Sequence, residues 1–299
     1  MINWKKISDS ISDATQSDFS IIDTAAVAGG DSNQAWQISG SFKNGDKEST
    51  TRYFVKTNSA DQAAMFAAEI AGLAAIADTH TVKVPCSITL GVSGQHNFLV
   101  LEYLDLAAQG NNTLLGNQLA AMHHMHAKQF GWLQDNTIGV TIQHNNWCAD
   151  WVSFWREQRL GFQLELASHN GYRGKLQELG KNVQAALPDL FAGYTPQPSL
   201  LHGDLWGGNH AFLPDGTPVI FDPATYYGDR EADIAMTELF GGFAPEFYAA
   251  YRKAYPLDAG YAKRKTLYNL YHILNHCNMV SSGYVLQAER MMQSLLAKK

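Results

Sequence analysis

The 299-residue sequence is poor in cysteine, in positive charge and in long apolar runs. Its three cysteines are far apart and form no Cys-X-X-Cys pair, which excludes a disulfide framework and predicts reduced thiols in a cytoplasmic protein. Lys and Arg number 22 against 28 Asp and Glu, and this formal charge of −6 argues against nucleic acid or an anionic membrane as a partner. No apolar run reaches transmembrane length, and the first 20 residues are too polar for a signal peptide.

The remaining composition is that of a folded globular protein, with 45% apolar and 17% charged residues. Apolar and polar residues alternate in the N-terminal third, which predicts half-buried strands at 19–27, 34–38, 52–56, 87–92 and 98–103. One alanine-rich helix is predicted at 60–77, and helices follow at 113–128, 147–168, 174–187 and from 231 onwards. The sequence therefore predicts an α+β fold of two lobes: residues 1–104, an antiparallel sheet with one helix, and residues 105–299, mainly helical.

A glycine-rich octapeptide, His-Gly-Asp-Leu-Trp-Gly-Gly-Asn, occupies residues 202–209, and Phe-Asp-Pro follows at 221–223. It places Asp204 and Asn209 in one loop, with Asp222 standing 18 residues after Asp204. Phosphoryl transfer from ATP needs such a set: one carboxylate to accept the proton of the substrate hydroxyl, and an amide with a second carboxylate to hold Mg²⁺. The plainer alternative is that these side chains only cap turns.

The residues upstream favour the first interpretation. Gly29 and Gly30 lie at the tip of a predicted hairpin, where the absence of Cβ atoms lets backbone N–H groups approach phosphate oxygens. Lys56, on the third strand, is placed to reach the α and β phosphates, and Glu69, in the helix, is placed to pair with it. Each feature alone has a plainer explanation, such as a hairpin turn or a solvated lysine. Their order along the chain carries the prediction.

The junction between the lobes supplies a candidate adenine site. The segment 101–104 ends an apolar strand there, so that the backbone at Glu102 and Leu104 is available for hydrogen bonds to a base lying between the lobes.

Three histidines, at 123, 124 and 126, suggest a metal site at first sight. On a helix only His123 and His126 share a face, whereas zinc needs three or four convergent ligands. A buried, hydrogen-bonded His123 is therefore expected instead.

The order of these features resembles that of protein kinases. His-Gly-Asp in place of His-Arg-Asp, and Asp-Pro-Ala in place of Asp-Phe-Gly, resemble the aminoglycoside phosphotransferase and choline kinase group. More narrowly, the chain resembles the fructosamine kinase family, on Trp206 directly after His-Gly-Asp-Leu and on the tripeptide Asp222-Pro223-Ala224. Further matching segments run over most of the chain, at 29–35, 54–56, 101–104, 119–123, 130–132, 146–151, 154–157 and 230–233.

The resemblance implies ATP and Mg²⁺ as cofactors and a role for each matching residue. Asp204 would be the catalytic carboxylate; because the ordinary pKa of an aspartate is about 4, it is expected mainly to orient the hydroxyl and to take the proton late. Asn209 and Asp222 would hold the metal, Trp206 would stack on the sugar, and Asp233 would brace the catalytic loop. The remaining implied contacts are a nucleotide set, Gly29, Gly30, Ser32, Asn33, Lys56, Glu69, Glu102 and Leu104, and one further substrate contact, His276 on the C-terminal helix. For Trp206 a buried loop anchor stays open as an alternative.

The implied activity is ATP-dependent phosphorylation of the sugar of a ketoamine, at the third carbon. The phosphate would then leave from the third carbon, next to the carbonyl, and the amine would be freed by spontaneous deglycation. An aminoglycoside or choline kinase and a non-catalytic nucleotide-binding regulator remain as alternatives, and a monomer is expected. The preferred ketose, free or protein-bound substrate, and ATP or GTP stay open.

Overall fold

The structure, a computed structural model, describes residues 2–27, 33–44 and 47–297. In its N-terminal part the elements are α1 (Trp4–Thr15), β1 (Asp18–Val27), β2 (Gln34–Asn44), β3 (Lys47–Ser59), α2 (Ala63–Asp78), β4 (Ser87–Ser93) and β5 (His96–Glu102). The helices that follow are α3 (Asn112–His123), α4 (Trp151–Phe154), α5 (Phe162–His169), α6 (Lys175–Leu190), α7 (Glu231–Thr237), α8 (Pro245–Ala254), α9 (Tyr261–Met279) and α10 (Val285–Leu296). Between them lie the short strands β6 (Asn136–Ile138), β7 (Thr141–Gln143), β8 (Ser199–Leu201), β9 (His210–Phe212), β10 (Pro218–Ile220) and β11 (Tyr226–Gly228).

The five strands β1 to β5 form one antiparallel sheet in the order β1-β2-β3-β5-β4. One face of this sheet packs on α1, where Ile7 and Ile11 meet Val55 and Phe98 in a small buried core. The other face packs on α2, whose core continues into the helical part of the chain. The α+β fold class is confirmed, and all five predicted strands are present.

Helix α1 is an addition to the single N-terminal helix that the sequence predicted. The side chain of Asn3 accepts a hydrogen bond from the Lys6 N–H and so caps its first turn. Ile7 and Ile11, four residues apart, are both fully buried, whereas most of the other α1 positions are polar. The two lobes meet in one continuous core, so the boundary between residues 104 and 105 remains a prediction.

Two predicted helices have different bounds in the structure. The helix predicted at 113–128 ends at His123, and the one predicted from 147 begins at Trp151. Asp150 explains the second difference, because its side chain accepts the N–H of Ser153 at 2.7 Å and caps the helix there. The helix then passes through a π-helical stretch, Trp155–Gly161, before it continues as α5.

Two short antiparallel strand pairs position the glycine-rich loop. Strand β8 pairs with β11, and β9 pairs with β10, so the loops 202–209 and 221–225 lie side by side between the two strand pairs. Two backbone hydrogen bonds join these loops: Ala224 N–H to His202 O at 2.8 Å, and Phe221 N–H to Asn209 O at 3.1 Å. Within the described residues, none of the helices has both the length and the apolarity that crossing a membrane would need.

Candidate active site

The glycine-rich loop is held by a buried carboxylate on α7. Asp233 accepts the N–H of His202 at 2.7 Å and the N–H of Gly203 at 2.8 Å. Its Oδ2 also lies 3.1 Å from Nε2 of His123, whose Nδ1 is 2.7 Å from the Tyr251 hydroxyl. Burial alone would raise the pKa of Asp233, but these partners hold it below its usual range. The bracing contact and the buried His123 are therefore confirmed.

Gly203 permits the turn that carries Asp204. Its φ of +85° lies in the left-handed region, and a Cβ there would lie 2.0 Å from Ala224 O. Any other residue would push the two loops apart.

The environment of Asp204 changes its acidity. Burial, and then the charges of Asp222 and Asp233, raise its pKa to about 7. The expectation of an ordinary value near 4 was therefore wrong, because the sequence does not show that three carboxylates lie close together. A bound cation would favour the ionised form again.

Asn209 and Asp222 present oxygen atoms beside Asp204. The Asn209 side-chain N–H donates to the main-chain oxygen of Asp204 at 2.9 Å, which turns its amide oxygen to the other side as a possible ligand. Asp222 has a φ of 56°, and its side chain is 43% exposed. One amide and one carboxylate fit Mg²⁺, which commonly keeps several waters and binds nucleotide phosphates. They do not fit zinc, and no group of three or more His, Cys, Asp or Glu side chains in the described residues could hold a metal.

Lys56 joins β3 to both α2 and the metal-binding candidates. Its Nζ lies 2.7 Å from the Glu69 carboxylate, so the predicted pairing is present, and it also contacts Asp222. Burial would lower the pKa of Lys56, but these two carboxylates raise it above its usual value. The side chain is therefore a fixed positive charge at the place where phosphates would lie.

The other predicted nucleotide contacts are placed less completely. Gly29, Gly30 and Ser32 lie outside the described residues, and Asn33 is the first described residue after them. The Glu102 N–H donates to Cys86 O at 2.8 Å, and its carboxylate lies 3.3 Å from Lys83 Nζ. Both groups are thus engaged within the small lobe, so a contact between Glu102 and a base would have to use its carbonyl. Leu104 follows two residues after the end of β5.

The substrate side contains a histidine that the sequence prediction missed. His272 Nδ1 lies 3.9 Å from Asp204 Oδ1, whereas the predicted contact, His276, lies one turn further along α9. Burial and the neighbouring His276 lower the pKa of His272 to about 3, so it is neutral. His272 and His276 stand four residues apart on α9, and this spacing alone does not say which of the two histidines faces the loop. Trp206 is 40% exposed, which does not fit a buried loop anchor.

Fold and site together define a protein-kinase-like phosphotransferase. The family model described as fructosamine kinase matches residues 3–298. The chain belongs to the fructosamine kinase family, and it is therefore a kinase.

Curated relatives and solved structures agree with this family. A probable ketoamine kinase of Synechocystis is 44% identical over 296 residues, which cover 98% of this chain and 97% of that protein. The chloroplastic protein-ribulosamine 3-kinase of Arabidopsis thaliana is 43% identical over 236 residues, 78% of this chain and 72% of that protein. A structure assigned as a fructosamine-3-kinase of Haemophilus somnus has a TM-score of 0.87 at 30% identity, covering 98% of both chains. An ADP-bound aminoglycoside phosphotransferase has a TM-score of 0.64 at 11% identity over 99% of this chain and 98% of its own, a likeness of fold alone.

Proposed function

We propose that this protein transfers the γ-phosphoryl group of ATP to a sugar hydroxyl of a ketoamine, most simply the hydroxyl on the third carbon. The observation that carries the proposal is the arrangement around Asp204: Asn209 donates to it, the charge of Asp222 raises its pKa, and Lys56 contacts Asp222. The names of the relatives, ketoamine kinase and protein-ribulosamine 3-kinase, support the substrate class.

Each residue has a distinct task in this reaction. Asp204 orients the attacking hydroxyl and accepts its proton, and the burial that raises its pKa makes it a stronger base than an ordinary aspartate. The Asn209 amide oxygen and the Asp222 carboxylate would hold Mg²⁺, which neutralises charge on the phosphates when bound. Lys56, fixed by Glu69, holds the nucleotide phosphates together with the backbone at Gly29 and Gly30, and the hinge at Glu102 and Leu104 holds the base. Trp206 offers an exposed ring to the sugar.

The product explains why such a kinase would be useful. The third carbon is bonded directly to the carbonyl carbon of the ketose. When the ketoamine enolises towards the amine-bearing first carbon, the nitrogen lone pair can expel phosphate from the third carbon. The phosphorylated adduct then decomposes and frees the amine without another catalyst. The protein would therefore act in deglycation.

Coupled ADP release with Mg·ATP tests the proposal against fructosyl-lysine, ribulosyl-lysine, kanamycin and choline. We expect turnover on a ketoamine, and we expect Asp204→Asn to lower kcat by roughly 10²- to 10⁴-fold, the usual contribution of a positioned base. ATP binding, followed by calorimetry, should change little in this variant. Turnover on kanamycin or choline alone would overturn the substrate class, and silence on all four would favour a non-catalytic regulator.

Assembly and location complete the proposal. We expect a monomer in the cytoplasm, although one relative is chloroplastic, so the compartment varies within the family. Light scattering on the purified chain measures its molar mass and so tests whether it is a monomer.

A further inference from the structure

The loop between α7 and α8 carries an exposed aromatic ring in a strained backbone. Phe240 is 43% exposed and has a φ of 55°, followed by Gly241 at 113° and Gly242 at 79°. A bulky residue rarely adopts a positive φ, and such strain is concentrated at ligand clamps and active sites. The surrounding structure therefore holds the backbone of Phe240 in a conformation that phenylalanine itself disfavours.

Two ring contacts attach this loop to the active site. Phe243 stacks on His210, with the ring centroids 4.0 Å apart, and His210 directly follows Asn209 in the chain. Phe240 packs on His276, with the centroids 5.0 Å apart. The loop thus spans from the metal-binding candidates to α9.

A third ring completes the cluster. Tyr284, between α9 and α10, lies 5.2 Å from His276 on a centroid basis. We call Phe240, His276 and Tyr284 the aromatic clamp. His276 lies four residues, or about 6 Å of helix rise, beyond His272, which faces Asp204. The clamp is therefore one helical turn away from the reacting hydroxyl.

The clamp is suited to binding a cation by its rings, because the nearby carboxylate of Glu238 has other partners. Glu238, two residues before Phe240, is already engaged by the Tyr261 hydroxyl at 2.7 Å and by Lys265 Nζ at 2.6 Å. Ring faces attract an ammonium group through the charge distribution of the π system. His276 adds a polar atom: Nδ1 lies 2.8 Å from the His272 carbonyl and must donate to it, which leaves Nε2 as the ring nitrogen available to a ligand.

A ketoamine carries its own cation close to the reacting hydroxyl. Its nitrogen is a secondary ammonium a few bonds from the third carbon, and a carbon chain continues beyond it. The other end of the sugar is polyhydroxylated and needs hydrogen-bond partners that rings do not supply. A partly exposed set of rings suits the ammonium and a chain that leaves towards solvent.

We propose that the aromatic clamp is the subsite for the ammonium nitrogen of the ketoamine and the first carbons attached to it. This inference rests on the proposed function and adds that the enzyme selects the positively charged amine side of its substrate. Phe240 is thus a specificity-determining residue, and the strained loop holds its ring in the clamp.

The test compares a charged ligand with a neutral one of the same shape. Fructosyl-butylamine is the substrate, and the ether with oxygen in place of the amine nitrogen is a competitive inhibitor. We expect Phe240→Ala to raise KM for the amine roughly ten-fold, the size of a partly desolvated cation–π contact, and to raise Ki for the ether less than about three-fold. Phe240→Trp, which keeps a ring, should restore a low KM.

Leu133→Ala is the matched control, because Leu133 is an 81% exposed apolar side chain that takes no part in the site. Melting curves show whether each variant is folded. Equal losses for amine and ether in Phe240→Ala would overturn cation recognition, and unchanged constants for both would overturn the subsite. If the wild-type protein phosphorylates no ketoamine at all, the proposed function itself fails, which the same assay distinguishes.

Discussion

Asp233 shows how one buried carboxylate can determine the conformation of a whole loop. It accepts two loop N–H groups and contacts His123, and all three partners lie away from solvent. A buried donor left without its acceptor costs about 1–3 kcal/mol, so each contact strongly favours this one arrangement. The position of Asp204 therefore depends on Asp233.

His272 leads to a prediction about pH at the scale of one residue. Its pKa in the folded protein is about 3, whereas in the unfolded chain it should be near the ordinary value of about 6.5. Below that value the unfolded chain binds a proton that the folded protein does not, so the stability from this site is lost as pH falls. Between pH 7 and pH 5 the loss amounts to about 2 kcal/mol.

Urea unfolding of wild type and His272→Gln at both pH values measures this difference. We expect the free energy of unfolding of the variant to fall by about 2 kcal/mol less than that of the wild type. All other titrating groups are common to the two proteins and cancel in the comparison. Parallel pH profiles would mean that His272 is protonated in the fold.

Asp204 and His272 mark the limit of what the sequence could predict about the site. The octapeptide, Lys56 with Glu69, and Asp222 were found because each belongs to a motif with a chemical reason for its spacing. The pKa of Asp204 and the approach of His272 to Asp204 were missed, because both depend on packing between α9, α7 and the two loops. Helical periodicity gives a stripe of side chains, but the rotation of the helix is a tertiary property.

At the scale of elements, the sheet was predicted well and α1 was not. Alternating apolar and polar residues indicate a strand with one buried face, and this pattern predicted all five strands. In α1 only Ile7 and Ile11 are fully buried apolar residues, so the helical period rests on very few positions. Its capping residue, Asn3, was a usable signal.

The contact between α3 and α8 gives a prediction about an element interface. Gly116 on α3 lies so close to α8 that an added Cβ would be 2.4 Å from Phe247 O and 3.0 Å from Tyr251 N. Alanine is the better helix former by about 1 kcal/mol, but this backbone clash should outweigh it, because overpacking costs about 1–3 kcal/mol. We expect Gly116→Ala to be less stable than the wild type in urea unfolding.

Gly180→Ala is the control for helix propensity. Gly180 also lies inside a helix, α6, but the three atoms nearest to its added Cβ all belong to the side chain of Leu164, which can move. It should therefore cost less than Gly116→Ala. Since α3 carries His123 and α8 carries Tyr251, we also expect a lower kcat in Gly116→Ala; full stability and activity would contradict the close approach of the two helices.

On the scale of the whole molecule, the residues predicted to bind Mg·ATP come from both parts of the chain. Lys56 belongs to the sheet and Glu69 to α2, whereas Asn209 and Asp222 belong to the loops between the short strand pairs β8–β11 and β9–β10. The two groups are joined where Lys56 contacts Asp222. A bound Mg·ATP would contact both sides and favour their association, so nucleotide binding and folding should be linked.

This linkage gives the last prediction. At 100 times its Kd a ligand that binds only the folded protein stabilises it by about 2.7 kcal/mol, which for a chain of this size raises Tm by roughly 5 °C. We expect Mg·ATP to produce such a shift in a thermal melt, and EDTA to remove most of it. Asp222→Ala should show no magnesium-dependent shift, because one of the two protein ligands is gone, whereas Leu133→Ala should shift as the wild type does. An equal shift in Asp222→Ala would mean that the metal is held elsewhere, and that the two loops beside Asp204 do not form the nucleotide site.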